Sequence, residues 1–328
     1  MSTVTTPARD LGGQVRAGRF AIGDWLLRGF VALLVGVLLP LPERFALWLG
    51  ARVADGVYWL VRATRYRDFM PANVRAAFPG LDARAVDRLV RRHLQLLFQS
   101  LVEVIRMPRL NAGNIGRKVQ VQGLDRLLEA RRRGKGTILV TAHFGNWELL
   151  GFTLGLMGYP MLALVQRQSK GAFDRFLKAR RSMHGNQVLE NDLHGTQEAL
   201  RRLQRNGTLF LVADQHGEGL RAIVPFFGHP VSAQVGPMAF AMKTGAEVLP
   251  AFIIRQKGGR HCIIIEAPLP LSQSGDKHAD LQQNCARMMA VFERYIRAHP
   301  DHWLWAHNRW DKLERAREGL RRRRPVAS

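Results

Sequence analysis

The stretch Gly136-Thr137-Ile138-Leu139-Val140-Thr141-Ala142-His143-Phe144-Gly145-Asn146-Trp147-Glu148 decides how this chain folds. Its first seven residues form an uncharged, largely apolar run that reads as a buried strand. The residues that follow, Leu149-Leu150-Gly151-Phe152-Thr153-Leu154, read as the first turns of a helix. A histidine therefore stands at the carboxyl end of a strand, with an acid five positions later. On one continuous helix that spacing would set the two side chains roughly 140° apart. Across a strand-to-helix junction the chain turns back and they can meet, at the sheet edge where α/β folds place their ligands.

The residue types suit proton transfer. A histidine near its ordinary pKa accepts a proton at neutral pH, and a carboxylate on its other ring nitrogen fixes the tautomer and stabilises the imidazolium. No serine or cysteine lies inside the motif as a covalent nucleophile, so the imidazole is expected to activate a substrate hydroxyl directly. Glu148 falls in the first turn of its helix, where the macrodipole favours the ionised form. A core or capping histidine beside an ordinary first-turn acid fits the same spacing.

Outward from this motif the chain alternates. Strand-like runs recur at 136–141, 161–166, 208–213, 248–254 and 262–266, with helix-like runs at 146–157, 172–183, 196–206, 236–244 and 280–298. The pattern predicts an α/β fold, a sheet with helices on both faces. The first 110 residues have a different, all-helical texture. Residues 1–22 are polar and expected to be mobile. From Trp25 an apolar run extends to Pro42 with only Arg28 charged, which reads as an uncleaved membrane anchor, inserted partway or spanning; a buried core helix is the alternative. Within 45–62, Phe45, Leu49, Val53, Val57 and Leu60 form one apolar helix side, and 82–105 continues in amphipathic style. The reading divides the chain into 1–22, a helical membrane-associated region at 23–110, a catalytic domain at 111–312 and a basic tail at 313–328.

The 328 residues carry 49 Lys and Arg against 26 Asp and Glu, a formal net charge of +23. Such a balance draws a protein toward polyanions: nucleic acid, anionic membrane surfaces, or acidic substrates and carriers. No zinc finger, basic zipper or RNA-recognition sequence is present, so nucleic acid is not the expected partner. Cys262 and Cys285 are too few for a disulfide framework or a cysteine zinc site, and both fall in runs that should bury them.

Five blocks in order resemble one family. His143 to Glu148 as H-x-x-x-x-E after a strand ending in Thr-Ala resembles the bacterial late acyltransferases of lipid A biosynthesis, the lauroyl/myristoyl transferases. Leu164-Val165-Gln166-Arg167 resembles the family's strand ending in arginine, and Leu211-Val212-Ala213-Asp214-Gln215-His216 its strand ending in aspartate. Val224-Pro225-Phe226-Phe227-Gly228 resembles its V-P-F-F-G loop, and Trp303-Leu304-Trp305-Ala306-His307-Asn308-Arg309-Trp310 its closing W-x-H-x-R-W. The resemblance spans 25–312. It implies a mixed central sheet of the glycerolipid-acyltransferase kind behind a helical membrane-associated segment, at the cytoplasmic face of the inner membrane. It also implies transfer of an acyl group from acyl carrier protein or coenzyme A to a hydroxyl of an anionic glycolipid, with no cofactor and no metal.

Carried over to this chain, His143 would be the general base and Glu148 its orienting partner. The backbone N–H groups of Gly145 and Asn146, with Arg167, would be candidate oxyanion donors. A bare Arg167 at a strand end needs a partner, either a substrate anion or Glu148. Asp214 would orient an arginine or the acceptor sugar, or cap a turn, and Arg309 would bind phosphate or stack in the core. The tail at 315–324 would face anionic lipid. The Asp214-Gln215-His216-Gly217-Glu218 run lacks a metal-ligand framework. A lipid A precursor is the most natural acceptor. A phosphatidylinositol mannoside or another lysolipid is the alternative, because the 215–219 loop departs from the lipid A pattern. Outside this class stand a hydrolase and a non-catalytic basic membrane-scaffold or nucleic-acid-binding protein.

Overall fold

The computed structural model describes residues 11–310 except Arg65, 167–170, 217–220 and Asn308, with side chains from Trp25 onward. The expectations for residues 1–10, Arg167 and the 313–328 tail lie outside the described residues. In chain order the elements are α1 (Leu11–Leu38), α2 (Glu43–Arg62), α3 (Phe69–Ala77), α4 (Ala83–Arg106), α5 (Ile115–Lys118), β1 (Val119–Gln122), α6 (Leu124–Arg132), β2 (Thr137–Thr141), α7 (Trp147–Leu156), β3 (Met161–Val165), α8 (Ala172–Arg181), β4 (Gln187–Glu190), α9 (Leu193–Gln204), β5 (Thr208–Val212), β6 (Arg221–Phe226), β7 (His229–Gln234), α10 (Gly236–Thr244), β8 (Glu247–Arg255), β9 (His261–Ile265) and α11 (Lys277–Ala298).

Seven strands form one sheet in the order β1-β9-β8-β2-β5-β3-β4. Every pairing is parallel except β8 with β9. This is the expected mixed α/β sheet. β2 is buried along its whole length, as a central parallel strand covered on both faces must be. The pleat sends Ile138 and Val140 into one apolar core with α9, α10 and α11, and Leu139 into a second with α6 and α7. The 224–228 segment, read from sequence as a loop, is instead the end of β6 and a two-residue turn into β7, with Phe227 and Gly228 both at positive φ.

One break in the sheet matters for function. β2 and β5 stay paired through Thr141 and Val212. β3 pairs with β5 only from Met161 to Ala163, while remaining paired with β4 as far as Val165. The β3–β4 pair thus swings away from β5 at its carboxyl end and opens a crevice there.

The N-terminal helices correct the sequence reading in two ways. The buried side of α2 is not the one bearing Phe45, Val53 and Leu60, which are exposed, but the small-residue side of Ala46, Gly50, Ala51 and Ala54. A side chain at Gly50 would meet Val102 of α4 at 2.9 Å, so close approach of the two helices selects glycine and alanine. The large apolar side chains are left outside, with Trp48 and Trp59 more than half exposed. In α1, Trp25, Phe30 and Leu33 are likewise more than half exposed. Buried Arg106 fastens this helix by donating to the carbonyls of Leu38, Leu39 and Leu41 at 2.5–3.0 Å. Among the described residues no helix is long and apolar enough to cross a membrane, so the spanning alternative has no support.

The turn between β2 and α7 requires glycine. Gly145 has φ +59, and a Cβ there would lie 2.0 Å from the carbonyl oxygen of Ile253. Gly145→Ala should therefore lower stability by about 2–4 kcal/mol in a denaturant titration. A loss below about 0.5 kcal/mol would mean that the turn relaxes freely.

Candidate active site

The register of the central strands builds the site. Thr141 lies opposite Val212, so two residues further on, His143 and Asp214 emerge side by side. His143 Nδ1 and Asp214 Oδ1 are 2.7 Å apart. Asp214 is 1% exposed, and its second oxygen accepts from Trp303 Nε1 at 2.7 Å. Burial pushes this carboxyl up, but the His143 imidazole and the N–H donors outweigh it and hold Asp214 below the usual carboxylate range. An ionised Asp214 requires the proton of His143 on Nδ1, which leaves Nε2 as the acceptor. The residues around Trp303 close over the motif like a short strand. Leu304 N–H donates to the His143 carbonyl at 3.0 Å, and Gly145 N–H donates to the His302 carbonyl at 2.8 Å.

This geometry corrects the partner expected for the imidazole, which is Asp214 rather than Glu148. The Glu148 carboxylate is claimed by Arg181, with Arg181 Nε 2.8 Å from Oε2 and Nη2 2.5 Å from Oε1. Burial lowers the Arg181 pKa, but its bond to Glu148 outweighs this and raises it overall. Glu148 still reaches the histidine indirectly. Trp147 Nε1 donates to Glu148 Oε1 at 3.0 Å, and the Trp147 ring packs edge-on against the imidazole with centroids 5.0 Å apart.

Gly145 and Asn146 do not line the cavity described below, and the Gly145 N–H already serves His302, which removes it as an oxyanion donor. Asn146 is structural. Its Oδ1 caps α7 by accepting from Leu149 N–H at 3.0 Å, and its Nδ2 donates to Glu103 at 2.9 Å. Glu103 is a buried anchor that also accepts from Arg255 Nη1 at 3.0 Å and lies 2.8 Å from His261 Nε2 and 3.3 Å from Lys118 Nζ. Burial raises its pKa, but His261, Arg255 and Lys118 together hold it far below the usual range.

Arg309 is fully buried and away from the cavity, which corrects its expected role as a phosphate ligand. It donates to the Ser232 carbonyl at 2.7 Å and lies over the Phe226 ring at 5.7 Å, the core-stacking alternative. Burial pushes its pKa down to about 10, which leaves it cationic at neutral pH. No cluster of side chains among the described residues could hold a metal ion.

A cavity of about 840 Å³ opens at the crevice, and His143, Trp147, Glu148 and Arg181 all line it. Neighbouring residues of β3 contribute from opposite faces of the sheet, Ala163 toward α7 and Leu164 toward α9. The α7 side has an apolar stretch, Gly151, Phe152, Met161 and Phe210, next to the polar Glu148, Arg181 and Asn186. The other side carries Thr196, Gln234 and Lys243 together with Leu200, Val235, Ala239 and Phe240. A base at the wall of a two-sided, half-apolar cavity is suited to joining an aliphatic group to a polar one.

The sequence matches the family described as bacterial lipid A biosynthesis acyltransferase over residues 16–312. The chain belongs to that family. It is therefore an acyltransferase. A phosphatidylinositol mannoside acyltransferase of Mycobacterium tuberculosis is 32% identical over 231 residues, 67% of this chain and 70% of that protein. The lipid A biosynthesis palmitoleoyltransferase of Escherichia coli K12 is 24% identical over 286 residues, 86% and 89% of the two chains. The lauroyltransferase of the same strain is 24% identical over 290 residues, 87% and 90%.

Double-mutant cycles read by denaturation test which carboxylate belongs to which cation. Glu148→Gln with Arg181→Met should give a coupling of about 0.5–3 kcal/mol, as should His143→Ala with Asp214→Asn. The cross pair His143→Ala with Glu148→Gln should give less. A cross coupling as large as the first two would place Glu148 on the imidazole after all.

Proposed function

We propose that this acyltransferase moves a fatty acyl group from a thioester of acyl carrier protein or coenzyme A to a hydroxyl of an anionic glycolipid, working at the cytoplasmic face of the inner membrane. The observation that carries this reading is the His143–Asp214 pair standing at the wall of a cavity that has an apolar stretch beside polar groups. His143 Nε2 takes the proton of the acceptor hydroxyl, and the oxygen attacks the thioester carbonyl. As the tetrahedral intermediate collapses, the C–S bond breaks and the imidazolium returns its proton to the departing sulfur. Asp214 stabilises the imidazolium and fixes its tautomer without taking the proton. Trp147, itself held by Glu148 and through it by Arg181, packs edge-on against the ring.

A lipid A precursor is the leading acceptor, in keeping with the family and the Escherichia coli relatives. A phosphatidylinositol mannoside is the second reading, favoured by the higher identity to the mycobacterial enzyme. Assays of purified enzyme with each acceptor separate them.

General base catalysis contributes about 10²–10⁴-fold, so His143→Ala and Asp214→Asn should each lower kcat by that factor with folding intact. Glu148→Gln, which keeps the bond from Trp147, should cost less. Because Asp214 is held below the usual carboxylate range, the support it lends His143 should persist as pH falls through the range where ordinary carboxylates protonate. Full activity in His143→Ala would sink the mechanism.

The exposed side chains of α1 and α2 support docking in the membrane interface. Phe30, Leu33, Phe45, Trp48, Trp59 and Leu60 present apolar surface beside Arg28, Arg44 and Arg52. Phe30→Ser and Leu60→Ser should each weaken binding to vesicles containing anionic phospholipid about tenfold. Binding that is equally tight in both variants would remove this face from the membrane.

A further inference from the structure

The apolar stretch of the cavity wall on the α7 side includes a glycine whose presence the backbone does not explain. Gly151 lies inside α7, surrounded by buried residues from Leu149 to Gly155. Alanine would favour that helix by about 1 kcal/mol. Nothing excludes it sterically, since a Cβ would meet Phe210 at 3.6 Å and Met161 at 3.9 Å, ordinary contact distances. The backbone at Gly151 needs no left-handed conformation. What the missing side chain leaves is space, and that space belongs to the cavity.

Hydrogen bonds cross-link the same place. Asn186 bridges it, donating from Nδ2 to the Gly151 carbonyl at 3.0 Å and accepting at Oδ1 from Met161 N–H at 2.9 Å. The amide thus ties α7 to the start of β3. Met161 stands at the far end of β3 from Val165, roughly 13 Å below the crevice at about 3.3 Å per residue. Gly151 is about 6 Å along α7 from Trp147. The apolar stretch therefore runs from His143 down to a wall of Gly151, Met161 and Phe210.

We infer that Gly151, Met161 and Phe210, fixed in place by the Asn186 bridge, form the floor that sets the length of the acyl chain this enzyme transfers. The inference rests on the acyl-transfer reading above. A chain too long for this stretch would leave its carbonyl short of Nε2, and the Asn186 bridge stops the floor from giving way.

The test is a ladder of saturated acyl donors, short to long, carried in turn by coenzyme A and by acyl carrier protein and offered with a lipid A precursor and with a phosphatidylinositol mannoside to the parent enzyme, Gly151→Ala, Gly151→Leu and Phe210→Leu, with products resolved by mass spectrometry. Gly151→Ala should raise the kcat/KM ratio of shorter over longest accepted donors by about tenfold or more, the scale of one methylene in a fitted pocket. Gly151→Leu should shift it further, and Phe210→Leu should move the preference toward longer chains. Alanine suits the helix, and circular dichroism verifies that each variant folds. A uniform fall along the ladder, or an unmoved preference in all three variants, overturns the inference while leaving acyl transfer intact. A parent enzyme that transfers no chain of any length overturns acyl transfer itself, and the floor with it.

Discussion

Parallel pairing of β2 with β5, held in one register through Thr141 and Val212, is the constraint from which the site follows. In parallel strands, residues at matched positions face the same way, so an imidazole two places past one strand end meets a carboxylate two places past the other. A slip of one residue would send one of the two to the opposite face of the sheet. Trp303 then consumes the second carboxylate oxygen, which removes Asp214 from competition for substrate and leaves it a fixed counter-charge.

The carboxylates around the site are closely partnered. Asp214 goes to His143 and Trp303, Glu148 to Arg181 and Trp147, and Glu103 to Arg255, His261, Lys118 and Asn146. Removing one member would leave a buried charge without compensation, a cost of several kcal/mol. Glu103 and Asn146 fix the start of α7 from behind, and Arg181 fixes Glu148 from the front. Among the described residues, Arg28, Arg44 and Arg52 are exposed on α1 and α2.

The sequence was most legible where burial dictated pattern. The apolar runs of β2, β3, β5, β8 and β9 could be read directly, because strands covered on both faces have no polar alternation to blur them. The edge strands β1 and β4, Val-Gln-Val-Gln and Gln-Val-Leu-Glu, are short and half polar and resemble loop. The outward face of α2 misled because large apolar side chains ordinarily mark the core, whereas Gly50 and its alanine neighbours reveal the packed side only once α4 is in place. Asp214 carried a usable signal, an acid ending a strand just as His143 does, but strand order was needed to make them neighbours. Arg181 carried none, since its contact with Glu148 depends on how α8 docks.

The bridging of His143 and Gly145 by residues 302–304 has a bearing on the order of synthesis. A nascent chain leaving the ribosome presents its imidazole, and then the aspartate, well before the tryptophan that steadies them. Asn73, which donates to the carbonyls of Trp305 and His307, waits longer still. Contacts so distant in sequence form late in folding. A polypeptide that has not yet reached residues 302–305 thus holds the imidazole without the scaffold that aims it, and the site can be completed only after that segment has been made.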